Sequence, residues 1–264
     1  MLHPDVVKYF MILSVALAGC KKNASEPPQH CDRVIAEWKE NKNLRYEYNA
    51  IGKIQSVMRE DFPEKTLLAY DAEGRLINSG TNTYRYEKEG KKIVDAYGSI
   101  YLINNNNQVI YWEYPPQNNQ VNKGTFEYDN NGFMTKSKTY TYNTADLSNY
   151  TVFQDIVYTN TVQNGNLIQA NAWKKLYRAG LPANLTTSSF RYTYDAARPN
   201  NIPDTDYRPY KYAKRSAGLL LSETDGTTTN NYTYKFDTKG RVVQVDRIQG
   251  GTIETIRTFK YQCE

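Results

Sequence analysis

Aromatic pairs separated by one polar residue recur along this chain: Tyr46-Glu47-Tyr48, Tyr84-Arg85-Tyr86, Phe126-Glu127-Tyr128, Tyr140-Thr141-Tyr142, Tyr192-Thr193-Tyr194, Tyr210-Lys211-Tyr212, Tyr232-Thr233-Tyr234 and Phe259-Lys260-Tyr261. Alternation of this kind has the period of a β-strand, so both rings of a triplet share one face of a sheet and the polar residue takes the other. Several triplets run into a turn, as in Tyr48-Asn49-Ala50-Ile51-Gly52, Tyr128-Asp129-Asn130-Asn131-Gly132 and Phe236-Asp237-Thr238-Lys239-Gly240. Asp or Asn can bond the backbone that follows it, and Gly takes the positive φ that closes the turn. A second strand then leaves, over residues 53–57 or 241–245 for example. Each unit therefore reads as a β-hairpin. The 24 Tyr and 8 Phe suit this role, because bulky rings fit a pleated, half-buried surface.

Taken end to end, the pattern gives about eighteen strands and no convincing helix. The expected fold class is all-β: a single elongated, twisted or rolled antiparallel β-meander of consecutive hairpins. Residues 151–162 are expected to pair with residues 166–178. Residues 31–40 have the length of a short helix, but Val34, Ala36 and Trp38 alternate as in a strand. Residues 196–209, with Pro199, Pro203 and Pro209, read as one long irregular loop. The run Tyr70-Asp71-Ala72-Glu73-Gly74-Arg75-Leu76 resembles the YD repeat of RHS-type proteins, and residues 126–132 and 236–242 match it with substitutions. The layout from Arg33 to Tyr261 looks like bacterial lipoproteins built on such hairpins. In RHS-type proteins these repeats form a hollow β-shell that can enclose a toxic domain. This chain has no room for a cargo domain, so the resemblance implies repeated hairpins without encapsulation.

The start of the chain carries Lys8 and then an apolar run over residues 9–19. The run is too short for a membrane-spanning helix, which needs about 20 residues, but fits the apolar core of a signal peptide. It ends in Leu17-Ala18-Gly19-Cys20, which resembles the lipobox of bacterial lipoproteins. The resemblance implies a signal peptide over residues 1–19, cleavage before Cys20, and a thioether-linked diacylglycerol on its sulfur. More than one acyl chain is what stable anchoring requires. Residues 20–30, with Pro27-Pro28 and no apolar periodicity, read as the lipidated N-terminus and a flexible tether. The β domain then covers residues 31–264. Lys21 stands where aspartate is the usual inner-membrane retention residue in some Gram-negative bacteria. The expected address is the cell envelope, lipid-anchored, at the outer membrane.

Assigning Cys20 to lipid leaves Cys31 and Cys263 of the 3 cysteines, one at each end of the β domain. An exported protein sits where disulfides persist, so these two are expected to pair. Such a bond would stabilise the fold by about 5 kcal/mol on chain-entropy arithmetic. It would also require the two ends of the meander to meet. Of the 2 histidines, His3 leaves with the signal peptide and His30 lies in the tether. The β domain thus has no histidine, which excludes Ser-His-Asp and Cys-His nucleophile systems and His-based zinc sites. A net charge of +5 without long basic runs gives nucleic-acid binding no support.

Candidate sites are few. Tyr111, Trp112 and Tyr114 lie beside Pro115-Pro116 and could form an aromatic platform for a sugar, although strand-end rings more often fill a core. Trp173 is expected to pack in the core. Asp195, Asp204 and Asp206 flank the irregular loop and could offer oxygens to Ca²⁺, but their spacing matches no calcium loop and solvated loop carboxylates are the better reading. No cofactor or metal is expected, and the chain reads as a monomer held to a membrane by its N-terminal lipid. Two functions compete. One is a non-catalytic binding or structural module for a glycan, peptide or protein partner. The other is a carboxylate-dependent envelope hydrolase such as a glycosidase, which would need two suitably spaced carboxyl groups.

Overall fold

The structure, a computed structural model, describes residues 33–39, 42–204, 208–212 and 214–262. Cys20, Cys31, Asp206 and Cys263 lie outside these residues. Among the described residues there is no helix. The first strands are β1 (Val34–Lys39), β2 (Lys42–Tyr48), β3 (Ile54–Arg59), β4 (Phe62–Tyr70), β5 (Leu76–Ser79) and β6 (Asn82–Glu87). There follow β7 (Lys92–Asp95), β8 (Ile100–Ile103), β9 (Val109–Glu113), β10 (Gln120–Tyr128), β11 (Met134–Asn143) and β12 (Asp146–Gln163). The last are β13 (Asn166–Arg178), β14 (Asn184–Pro199), β15 (Gly218–Thr224), β16 (Thr229–Phe236), β17 (Val242–Gln249) and β18 (Thr252–Tyr261).

Every strand pairs antiparallel with its neighbour in sequence, and β18 also pairs with β1, where Tyr261 lies opposite Val34. The 18-stranded sheet is therefore a closed up-and-down barrel. The strand count and the hairpin order agree with the sequence, but the elongated, twisted or rolled meander does not. Closure removes both edges of the sheet, which would otherwise template aggregation. The RHS-type resemblance is corrected with it, because this ring is completed by pairing the chain's own first and last strands. Val34–Lys39 form a strand as expected, but a bulge after Val34 breaks the expected alternation, so Val34 and Glu37 face inward while Ala36 and Trp38 face outward. The pairing of residues 151–162 with 166–178 is observed within β12 and β13.

Even-numbered strands end, and odd-numbered strands begin, at the end of the barrel where the chain enters and leaves. This end is the near mouth. Its turns are set by the residue after the last aromatic of the even strand. Asp71 Oδ1 accepts the backbone N–H of Arg75 at 2.7 Å, and Asp237 Oδ1 accepts that of Arg241 at 2.9 Å. Asn49 and Asp129 do the same for Lys53 and Phe133, each at 2.9 Å. Gly74, at φ 74°, and Gly240, at φ 76°, occupy the left-handed position that such turns demand.

Register and burial together separate the two faces of the wall. The inner face carries Val34, Tyr46, Val57, Leu68, Leu76, Val242, Val245, Phe259 and Tyr261 on the arc from β17 through β1 to β5. A second inner cluster, Ile93, Tyr101, Ile103 and Val109, covers β7 to β9. Each such aliphatic side chain contributes about 1.5–3 kcal/mol by leaving water. The inner face also holds an ion pair. Glu37, with no exposed side-chain area, accepts from Arg257 at 2.6 and 2.7 Å and from Tyr46 Oη at 2.8 Å.

The outer face carries charged residues over much of its circumference, together with exposed apolar side chains such as Leu67, Trp173 and Leu185. Arg45, Glu47, Lys65, Arg85, Lys138 and Arg191 project from it near mid-strand. Glu47 bonds Lys65 across β2 to β4, and Arg45 meets Glu60 at 2.7 Å. Wall height is uneven: β5, β7 and β8 have 4 residues each, whereas β12 has 18 and β14 has 16.

Candidate functional site at the near mouth

The inward tyrosine that closes an even strand reaches across the near mouth to the strand before it. Tyr48 Oη donates to Val34 O at 2.9 Å, Tyr70 to Ile54 O at 2.7 Å, and Tyr86 to Leu76 O at 2.9 Å. Tyr128 donates to Val109 O at 2.7 Å, Tyr194 to Leu167 O at 3.0 Å, Tyr234 to Leu220 O at 2.6 Å, and Tyr261 to Val242 O at 2.9 Å. The result is a girdle of rings with each hydroxyl fixed on a backbone carbonyl. Burial pushes the phenols of Tyr86, Tyr128 and Tyr234 up to about 12.

Cations cap this girdle. Arg33 lies 5.4 Å from the Tyr48 ring centroid, Lys53 5.1 Å from Tyr70, Arg75 4.7 Å from Tyr86, and Arg241 4.1 Å from Tyr261. Each begins or precedes an odd strand and covers a ring on the strand that follows, a contact worth about 0.5–1 kcal/mol when exposed. Arg75 and Arg241 are also paired with Asp71 at 2.7 Å and Asp237 at 2.6 Å.

The described residues of the connection between β14 and β15, 200–204, 208–212 and 214–217, turn into the lumen. Lys211 N–H donates to Asn107 O, and Val109 N–H donates to Lys211 O, both at 2.9 Å. Tyr210 stacks on Tyr101, and Tyr212 meets Phe126 edge-on with centroids 5.4 Å apart. The sequence placed the irregular stretch at residues 196–209 and Tyr210-Lys211-Tyr212 in a strand. In the structure β14 runs on to Pro199, and that triplet is a plug rather than part of the wall. Its rings supply the second inner cluster with apolar area that four- and five-residue strands cannot.

Three lumenal cavities adjoin the plug, of about 520, 730 and 470 Å³, and Arg208 borders them all. Among the described residues, the one of about 730 Å³ is lined by Arg208, Lys211, Lys214 and Arg215 and by one carboxylate, Asp204, which pairs with Lys211 at 2.9 Å. Charge is unevenly distributed along the barrel. Among the described residues, the connections at the far mouth hold Glu60, Asp61 and Asp225 and no Lys or Arg. Backbone and hydroxyl donors of Thr227 and Thr228 hold Asp225 ionised, down to about 2.

Period-two alternation divides the proposed aromatic platform. Tyr111 faces outward, with its hydroxyl on the Glu113 carboxylate. Trp112 faces inward over Gly124, the residue opposite it on β10. Tyr114 packs on Trp112 at 4.6 Å and on the edge of Tyr101 at 6.5 Å. Trp173 is not in the core; it stands on the outer face, 42% exposed. Asp195 sits 3.6 Å from Arg198, and Asp204 is the partner of Lys211.

Sequence reasoning missed an outer aromatic patch. Tyr140, Tyr142, Tyr150, Phe153 and Tyr177 form a connected set of rings on the outside of β11 to β13, with centroids 4.9–6.5 Å apart. The signal was present. Lys136 and Lys138 share strand parity with Tyr140 and Tyr142, so a face that sends lysines to water sends those rings there too.

No family model matches the chain, and no curated relative matches it. Among solved structures, a porin-like protein from Bacteroides vulgatus superposes with a TM-score of 0.51 at 13% identity, covering 87% of this chain and 98% of that one. A porin-like protein from Bacteroides uniformis gives 0.45 at 13% identity over 87% and 96%. The first likeness is one of fold, to a barrel and not to an array of YD repeats.

Proposed function

We propose that this chain is a non-catalytic β-barrel of the outer membrane, held at the membrane surface by lipid on Cys20 with its wall in water. The observation that carries this reading is the set of charged residues that face outward near mid-wall. A lipid-facing lysine or arginine costs about 2–4 kcal/mol at the bilayer midplane, and Arg45, Lys65, Arg85, Lys138 and Arg191 all face outward. A membrane-crossing strand also needs about 9–11 residues, against 4 in β5, β7 and β8. The fold is that of a porin-like barrel; the side-chain chemistry is that of a barrel standing beside a bilayer. The buried inner carboxylate supports a non-catalytic reading, since Glu37 is committed to Arg257. The outer rings around Tyr150 favour a binding module for a glycan or protein partner.

Fractionation of cells producing the wild-type chain and Cys20→Ala tests this. Wild type should sediment with outer membranes, and Cys20→Ala should move to the soluble fraction. Retention of Cys20→Ala through alkaline carbonate extraction would mean that the barrel itself is embedded.

A further inference from the structure

We propose that the cavity of about 730 Å³ at the near mouth is an anion site that takes a phosphate-bearing group. Its volume falls within the range of small-ligand sites, about 300–1,000 Å³. Arg208, Lys211, Lys214 and Arg215 line it, and Asp204 is engaged with Lys211 at 2.9 Å, so the lining is strongly cationic. Two of the charges sit on hydrogen-bonded backbone. Lys211 is held at both its N–H and its carbonyl by residues of the wall, and Lys214 N–H donates to Gly132 O at 3.3 Å. The Lys214 stem crosses Gly132 so closely that a Cβ there would lie 3.4 Å from its Cβ and Cδ. The side-chain amides of Asn106 and Asn130 add neutral donors to the same wall. Two guanidinium groups with flanking ammonium groups match a phosphate dianion better than a single carboxylate, because together they offer several charge-assisted donors.

The source of the phosphate rests on the surface-tethered reading above. The chain enters the barrel at Arg33, beside this mouth, so a tether from Cys20 would hold the cavity against phospholipid headgroups. A free phosphorylated solute presents the same chemistry.

The test uses the mature chain carrying Cys20→Ala, which binds without the anchor and so is independent of whether lipidation occurs. It is titrated with inorganic phosphate and sedimented with vesicles of phosphatidylcholine alone or mixed with phosphatidylglycerol. Binding to the mixed vesicles, weakened by added phosphate, is the expected result and names a headgroup. Binding of phosphate without vesicles also supports the site and names a free ligand. Arg208→Gln/Lys214→Gln/Arg215→Gln should bind at least tenfold more weakly. The charge-matched outer variant Lys136→Gln/Arg191→Gln/Lys235→Gln should stay within twofold of the parent. Lys214→Gln alone, which leaves the backbone contacts intact, should weaken binding severalfold with an unchanged melting temperature. Equal losses in the two triple variants, or no binding of either probe, would overturn the proposal.

Discussion

Tyr210 lies stacked on Tyr101, with ring centroids 4.3 Å apart and planes inclined by 23°. This contact fastens the segment between β14 and β15 to a wall built from β7 to β10, and gives those short strands an apolar lid on their inner face. Tyr210→Ala should cost about 3 kcal/mol, in the range for deleting a buried aromatic side chain. Tyr210→Phe should cost much less, because it keeps the stack. Urea midpoints read the difference, and limited proteolysis should cut residues 200–217 only in the alanine variant. Equal stability of the two variants would mean that the stack is incidental.

The tyrosine girdle predicts a cooperative loss of structure in alkali. The fold raises the phenol pKa values of Tyr86, Tyr128 and Tyr234 from 10.0 to about 12, with burial as the main cause. Their contribution is complete below the unfolded value and is lost as pH rises from about 10 through about 12. Absorbance of ionised tyrosine should therefore rise steeply together with loss of the near-ultraviolet circular dichroism. Gradual ionisation with the fold intact would contradict the burial of these hydroxyls.

Glu37 and Arg257 make a second prediction of stability. Removing one partner of a buried pair leaves an uncompensated charge and typically costs about 3–5 kcal/mol. Glu37→Gln should destabilise by an amount of that order, because Arg257 loses contacts at 2.6 and 2.7 Å. Glu37→Leu/Arg257→Met should be milder than Glu37→Gln. Calorimetry of the two variants decides, and the reverse order would show that water reaches this pair.

Closure brings Arg33 and Gln262 into contact through a backbone hydrogen bond of 2.9 Å, close in sequence to Cys31 and Cys263. Non-reducing peptide mapping is expected to find those two cysteines in one cross-linked fragment. Two alkylatable thiols would refute the pairing.

Much of the wall was legible because its information is local. Tyr70-Asp71-Ala72-Glu73-Gly74 states an aromatic strand end, a side-chain-capped turn and a left-handed glycine within a few residues, and the structure repeats that grammar at the turns after β2, β10 and β16. That the two ends meet was legible only through the two terminal cysteines; the strand pattern itself did not carry the closure, since pairing Val34 with Tyr261 depends on curvature accumulated over the entire sheet. The candidate site was hidden for a related reason. Lys211 read as the middle of a strand triplet and Arg208, Lys214 and Arg215 as its flanks, and only the inward turn of their segment gathers them over one cavity. Trp173 was misjudged because aromatic character was weighed without strand parity, which the neighbouring Lys175 could have supplied.

The seam between β1 and β18 has a consequence for how the molecule comes into being. An exported chain emerges N-terminus first, so β1 holds a partner only in β2 until the last strand arrives. Throughout that interval the growing ribbon presents two unpaired borders, each able to recruit a stranger. A truncation just before Thr252 would leave the ribbon in that condition permanently. The final ten residues of the sheet are thus less an appendage than a latch, and the molecule has no shorter version of itself to fall back on.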